Sequence, residues 1–194
     1  MRNLGELGFS LRLEVFRLDP KTKKILERIL VREDPLVVHA LDWLYISFSN
    51  ANYTTKDTGG TDRSSAPSVY LGYNGYGDLG STVRGIVVGT SSTPVAMSDY
   101  ALGSTIAHGT GSGQLYYYKG VTEYISSIAN KRIRLHQRPI ANLSGASITV
   151  YEIGLILESN NVWRFLLARD VISGGLALAN QGYYLFQYAF EVAP

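Results

Sequence analysis

The chain has 194 residues, 45% of them hydrophobic and 18% charged, with no Cys and a formal net charge of +2. That suits one domain, or one with an appendage, and excludes a charged disordered chain. It also excludes disulfides, thiolate metal sites and Cys nucleophiles, gives no global attraction to nucleic acid, and offers no apolar run of the roughly 18 residues that a membrane helix needs.

Met1-Arg2-Asn3-Leu4-Gly5-Glu6 has no apolar stretch, so no signal peptide is expected. Residues 9–16 alternate apolar and polar, the period of a strand with one wet face. Asp19-Pro20-Lys21-Thr22 supplies turn chemistry, and residues 25–32 return as the second arm of a hairpin. Asp34 as N-cap and Pro35 at the first helical position open a helix over 36–48. Its stripe is Val37, Ala40, Leu41, Leu44, Tyr45 and Phe48. Residues 50–66 read as a short edge strand or a long loop, 69–73 as a brief strand, 82–88 as a better one, and 89–113 as mostly irregular. Strands then follow at 114–119, 124–129, 131–138, 147–157, 162–170 and 183–192, separated by turn residues. This succession predicts a mainly β, antiparallel β-sandwich, with a jelly-roll winding as one form, and one α-helix near the N-terminus. Residues 1–34 are a hairpin or arm and 35–194 the body, within a single globular domain.

Charge is uneven. Residues 1–34 hold 8 of the 18 Lys/Arg and 6 of the 16 Asp/Glu. The body is rich instead in neutral Gly, Tyr and Ser, a surface suited to being covered by a partner.

The motifs with known chemistry lack their context. Gly75-Tyr-Gly77-Asp-Leu-Gly80 has the dinucleotide-binding spacing, but strand rather than helix follows it. Asp57-Thr58-Gly59 matches the aspartic-protease triplet but follows a polar stretch. Asp57 and Asp62 flank a Gly turn without a calcium-loop ligand run, and His39, His108 and His136 have no metal-site spacing. No catalytic residue, cofactor or metal ligand is therefore expected.

On a strand, Arg132, Arg134, His136 and Arg138 share one face and Ile133 and Leu135 the other. The basic face binds phosphate, pairs with acidic groups of another subunit, or is simply solvated. Tyr70, Tyr73, Tyr76, Tyr116, Tyr117 and Tyr118 suit a subunit interface and equally suit stacking on sugars. Glu152 sits among Ile148, Val150, Ile153, Leu155 and Ile156. It either pairs with Arg169 or turns to water.

Three stretches, Ile86 to Leu102, Asn142 to Leu155, and Leu166 to Val171 with the terminal strand, resemble small β-rich structural proteins of tailed phages and thermophile viruses. The resemblance covers roughly residues 80–194. It implies a virion role as capsid, decoration or tail component, in many copies, made in the host cytoplasm, with no active site to transfer. The expected function is a non-enzymatic viral structural protein. Its partners are copies of itself and other virion proteins, without sequence-specific nucleic acid and without a membrane. On this reading the 1–34 arm reaches a neighbouring subunit, and deleting it leaves a folded body that no longer assembles. The alternatives are a carbohydrate- or receptor-binding module, with a glycan as partner, and a subunit of a non-viral extracellular filament.

Overall fold

The computed structural model describes residues 8–33, 53–65, 73–128, 131–159 and 163–193. β1 (Gly8–Leu18) and β2 (Ile25–Glu33) form the expected hairpin. Asp19 holds its turn by accepting the N–H groups of Lys21 at 3.0 Å and Thr22 at 2.6 Å. β3 (Tyr53–Lys56) and β4 (Asp62–Ser65) make a small separate hairpin. The remaining strands are β5 (Tyr73–Asn74), β6 (Gly85–Gly89), β7 (Tyr116–Tyr117), β8 (Val121–Ile128), β9 (Lys131–Ala141), β10 (Ile148–Ser159), β11 (Trp163–Leu178) and β12 (Tyr183–Ala193). β11 runs past the expected stop at residue 170. Gly174 and Gly175, with φ of 79° and 73°, let it bend without ending.

The larger sheet has the order β2-β1-β12-β9, with β7 and β8 both beside β9. The second has β10 at its centre, β11 on one side and β5 and β6 on the other. All pairings are antiparallel. The two sheets face each other across one core. The first contributes Leu11, Leu13, Val15, Ile140, Tyr184, Phe186 and Tyr188, and the second Ile86, Val88, Val150, Ile153, Leu155 and Leu167. The opposite face of the second sheet is also covered, where Val87, Ile156 and Leu166 pack against Leu102. That double coverage explains why β10 reads as a continuous apolar run and not as a clean alternation.

The helix expected over 36–48 lies outside the described residues. Two other expectations change. The winding is not that of a jelly roll: the sequential hairpins β1–β2, β8–β9 and β10–β11 each stay within one sheet. Residues 8–18 are not a free arm, because β1 pairs with β12 from Gly8↔Ala193 to Leu18↔Tyr183. Removing them takes Leu11, Leu13 and Val15 out of the core, so the shortened chain is not a folded body that merely fails to assemble.

Candidate functional site

Between β6 and β7 the chain leaves the sandwich as a long irregular excursion, and one carboxylate pins its base. Glu152, on β10, is 0% exposed. Its Oε1 accepts the N–H groups of Ser104 at 2.7 Å and Ser91 at 3.3 Å, and its Oε2 accepts that of Gly103 at 3.0 Å. Arg169, on the neighbouring strand β11, donates to Glu152 Oε2 at 2.9–3.0 Å, to Asp99 Oδ2 at 2.7 Å and to the Thr93 carbonyl at 3.1 Å. Asp99 also accepts the Ala96 N–H at 2.9 Å. The structure thus brings Glu152 and Arg169 together and adds three loop N–H groups, one loop carboxylate and one loop carbonyl. Both ends and the middle of the 90–104 segment are thus tied by charge-assisted bonds to two buried side chains. The tip is apolar and outward: Val95 is 43%, Met97 63% and Tyr100 39% exposed.

The basic stripe on β9 points the other way from an interface. Arg138 pairs across the sheet with Phe186, and His136 with Tyr188, both core residues. Arg138 is 0% exposed. Its guanidinium donates to the carbonyls of Tyr118 (3.0 Å), Arg84 (3.1 Å), Ile86 (2.9 Å) and Asp78 (2.8 Å), with the Tyr117 ring centred 4.9 Å away. Burial lowers its pKa to about 10, so it stays charged at neutral pH, held by dipoles and a ring face. The Gly-rich motif makes room for it. A Cβ on Gly77 would lie 2.6 Å from the Arg138 guanidinium and from the Arg84 carbonyl oxygen, and one on Gly75 would lie 2.6 Å from His136. The Gly75-Tyr-Gly77 spacing therefore makes room for two buried side chains, His136 and Arg138.

His136 is buried, and burial, then the charge of Arg134, lowers its pKa to about 4. Its folded-state value lies below the unfolded one of 6.5, so the unfolded chain binds more protons between these values. Stability is complete above about pH 6.5 and is expected to fall by about 3 kcal/mol as pH drops toward 4. Urea unfolding across that range measures the slope. His136→Asn, which cannot ionise, is expected to flatten it.

Of the Tyr set, Tyr117 is fully buried, and its hydroxyl donates to the Ile106 carbonyl at 2.9 Å. Burial pushes its phenol upward. Tyr117 and Arg138 are thus core residues, and neither can line a surface that another subunit touches. Tyr116 and Tyr118 flank Tyr117 on the outer side. His108, Tyr116, Tyr118 and Tyr183 form a row of tilted rings with centroids 4.7, 4.9 and 5.9 Å apart. Burial and the Tyr183 hydroxyl push Tyr118 up to about 12. Tyr76 is partly exposed beside Arg84 and Lys119. Arg134 is exposed. Tyr70 and the side chains of Tyr73 and Arg132 lie outside the described residues.

The acidic motif residues are occupied structurally. Asp57 accepts the N–H groups of Gly59 and Thr61, each at 2.9 Å, and Arg63 Nε at 2.7 Å. Burial alone would raise its pKa, but these three bonds outweigh it and hold the carboxyl below its ordinary value. Asp62 pairs with Lys56 at 2.8 Å. Sequence reasoning missed a further cluster: Glu158 bridges Arg84 at 2.6 Å and Arg164 at 2.8 Å, and Arg84 also pairs with Asp78. Only the apolar run around Glu158 in β10 hinted that it needed a partner. Among the described residues, no group of three or more His, Asp or Glu converges as a metal site.

Compared with protein-family models, curated proteins and solved structures, the chain matches none.

Proposed function

We propose that this chain is a non-enzymatic structural protein that associates with further copies of itself, in the setting of a virion, as a capsid, decoration or tail component. The observation that carries the self-association is the 90–104 loop. The fold commits a fully buried carboxylate and guanidinium to fixing a segment whose tip carries exposed Val95, Met97 and Tyr100. Holding apolar side chains rigid in water contributes nothing to the lone chain. It lowers the ordering cost when a partner covers them. Met and Tyr are the residue types enriched at such contacts. The virion setting rests on the resemblance of residues 86–102, 142–155 and 166–171. These stretches supply the loop, β10 with Glu152, and β11 with Arg169.

The test is Met97→Asp. Its side chain is solvated in the single chain, so the melting temperature is expected to stay within the range of a surface change, about 0.5 kcal/mol. The solution mass by light scattering is expected to fall at equal concentration, because a charge is placed in the contact. An unchanged mass would remove the loop from the interface.

A further inference from the structure

At one end of the sandwich, three turns surround an open cleft of about 410 Å³, lined by Pro20, Leu143, Gly145, Asn180, Gln181 and Tyr183. That volume lies within the ~300–1,000 Å³ typical of small-ligand sites. Backbone strain marks the same place. Among the described residues, two non-glycine residues have positive φ, Lys23 at 58° and Gln181 at 60°. Gln181 lines the cleft directly. Lys23 sits at its rim, with Nζ 3.4 Å above the Tyr183 ring centre and 2.6 Å from the Pro20 carbonyl. The Gln181 turn closes with Gly182 N–H on the Ala179 carbonyl at 3.0 Å, placing Gln181 where such a turn normally carries Gly or Asn. Strained residues gathered at one concavity point from geometry to function.

We propose that this cleft binds an acidic saccharide, a sugar ring carrying a carboxylate. The lining states the chemistry. Tyr183 offers an amphipathic ring, hydrogen-bonded through its hydroxyl to Tyr118 at 3.1 Å and continuous with the ring row through Tyr116. Rings of this kind stack on the apolar faces of sugars, and this face opens when Lys23 Nζ, 3.4 Å above it, moves to a ligand carboxylate. Gln181 brings an exposed side-chain amide, able to donate to and accept from hydroxyl groups. Asn180 brings another. Its Oδ1 already accepts the Gly145 N–H at 3.1 Å, which fixes the amide in place. Charge at the rim is positive. The β1–β2 turn carries three lysines, Lys21, Lys23 and Lys24, against one carboxylate, Asp19, which stays an anion and accepts the Lys21 and Thr22 N–H groups and the Thr22 hydroxyl. Lys23 has a flexible stem and three donors, so it can exchange the Pro20 carbonyl for a ligand carboxylate. The lining itself carries no carboxylate to repel one. This site shares no residue with the 90–104 loop, so it stands or falls separately from self-association.

The strain supplies a test that does not risk the fold. Glycine tolerates positive φ, so Lys23→Gly and Gln181→Gly are expected to leave the melting temperature unchanged or raised. The probes are sialyllactose and trigalacturonate, with lactose and maltotriose as neutral counterparts. They are titrated by calorimetry and mapped by hydrogen exchange on the whole chain. Expected are saturable binding of at least one acidic probe, protection confined to residues 19–24, 143–145 and 179–183, and weakening with added salt. Lys23→Gly is expected to lower affinity about tenfold, the loss of one charge-assisted bond, and Gln181→Gly by a few-fold. Equal binding of acidic and neutral probes would overturn the acidic assignment. Absence of protection in these turns with every probe would overturn the site, as would glycine variants that bind like the parent.

Discussion

Replacing Arg138 with Met is expected to destabilise the fold by about 3–5 kcal/mol, read as a lower urea midpoint at pH 7. Met fills much of the volume, so the effect is not a simple cavity. The cost is polar. Four carbonyl oxygens, of Asp78, Arg84, Ile86 and Tyr118, lose their donors, those of Arg84 and Ile86 in fully buried bonds. Each unmet buried group costs about 1–3 kcal/mol, reduced where a carbonyl keeps a second partner in the sheet. Arg138→Lys retains charge but replaces a planar fork by a single ammonium, which cannot reach four acceptors spread around a plane. It is expected to recover less than half of the loss. Gly77→Ala acts on the same cage from the other side. Its methyl would press on the guanidinium and on the Arg84 carbonyl, at a cost of about 1–3 kcal/mol. Combined with Arg138→Met it is expected to be less than additive, since the clash partner is gone. A loss below about 1 kcal/mol for Arg138→Met would show that the cage does not hold the two sheets together.

Glu152→Ala is the second large effect, about 3–5 kcal/mol, because it leaves the Arg169 guanidinium buried with only Asp99 and a carbonyl to balance it. Unlike the Arg138 change, it has a local signature. Ser91, Gly103 and Ser104 lose the oxygen that their N–H groups donate to. Hydrogen exchange over 90–104 is therefore expected to accelerate more than exchange in β1 or β12. An apolar replacement of both partners, Glu152→Leu with Arg169→Met, is expected to regain part of the stability, as buried ion pairs often allow. It is not expected to regain slow exchange in the loop, because a leucine cannot accept those N–H groups. If the double variant restored both, Glu152 and Arg169 would be a pair for the core alone, and the rigid loop would need another cause.

Much of the strand order was legible because it rests on local patterns. Residues 9–16 and 25–32 alternate in period two and flank Asp19-Pro20, and they form β1 and β2. The division of β9 into two faces was also legible. Which face lies inside was not. Alternation groups Arg134, His136 and Arg138 but carries no sign, and burial of a guanidinium is expensive enough to argue against the inward choice. What reverses that choice is a set of carbonyls brought from β6, the 78–84 segment and residue 118, which become neighbours only in three dimensions. Gly75 and Gly77 were the visible trace of it, since two glycines leave space for two large side chains. Glu152 and Arg169 stood out because apolar neighbours on both sides imply burial and burial demands a partner. The loop N–H groups and Asp99 that complete their environment come from a segment with no periodicity. The cleft was illegible for a similar reason: its three turns are far apart in the chain, and backbone strain at Lys23 and Gln181 leaves no mark in composition.

The central claim, that the apolar 90–104 loop joins copies of this chain, is tested most directly by the mass of the purified protein in solution. Light scattering over a concentration series reads it without a label or a partner. A mass above that of the 194-residue chain that rises with concentration, or settles at a discrete multiple, is the predicted result. A strict monomer at every concentration would contradict it.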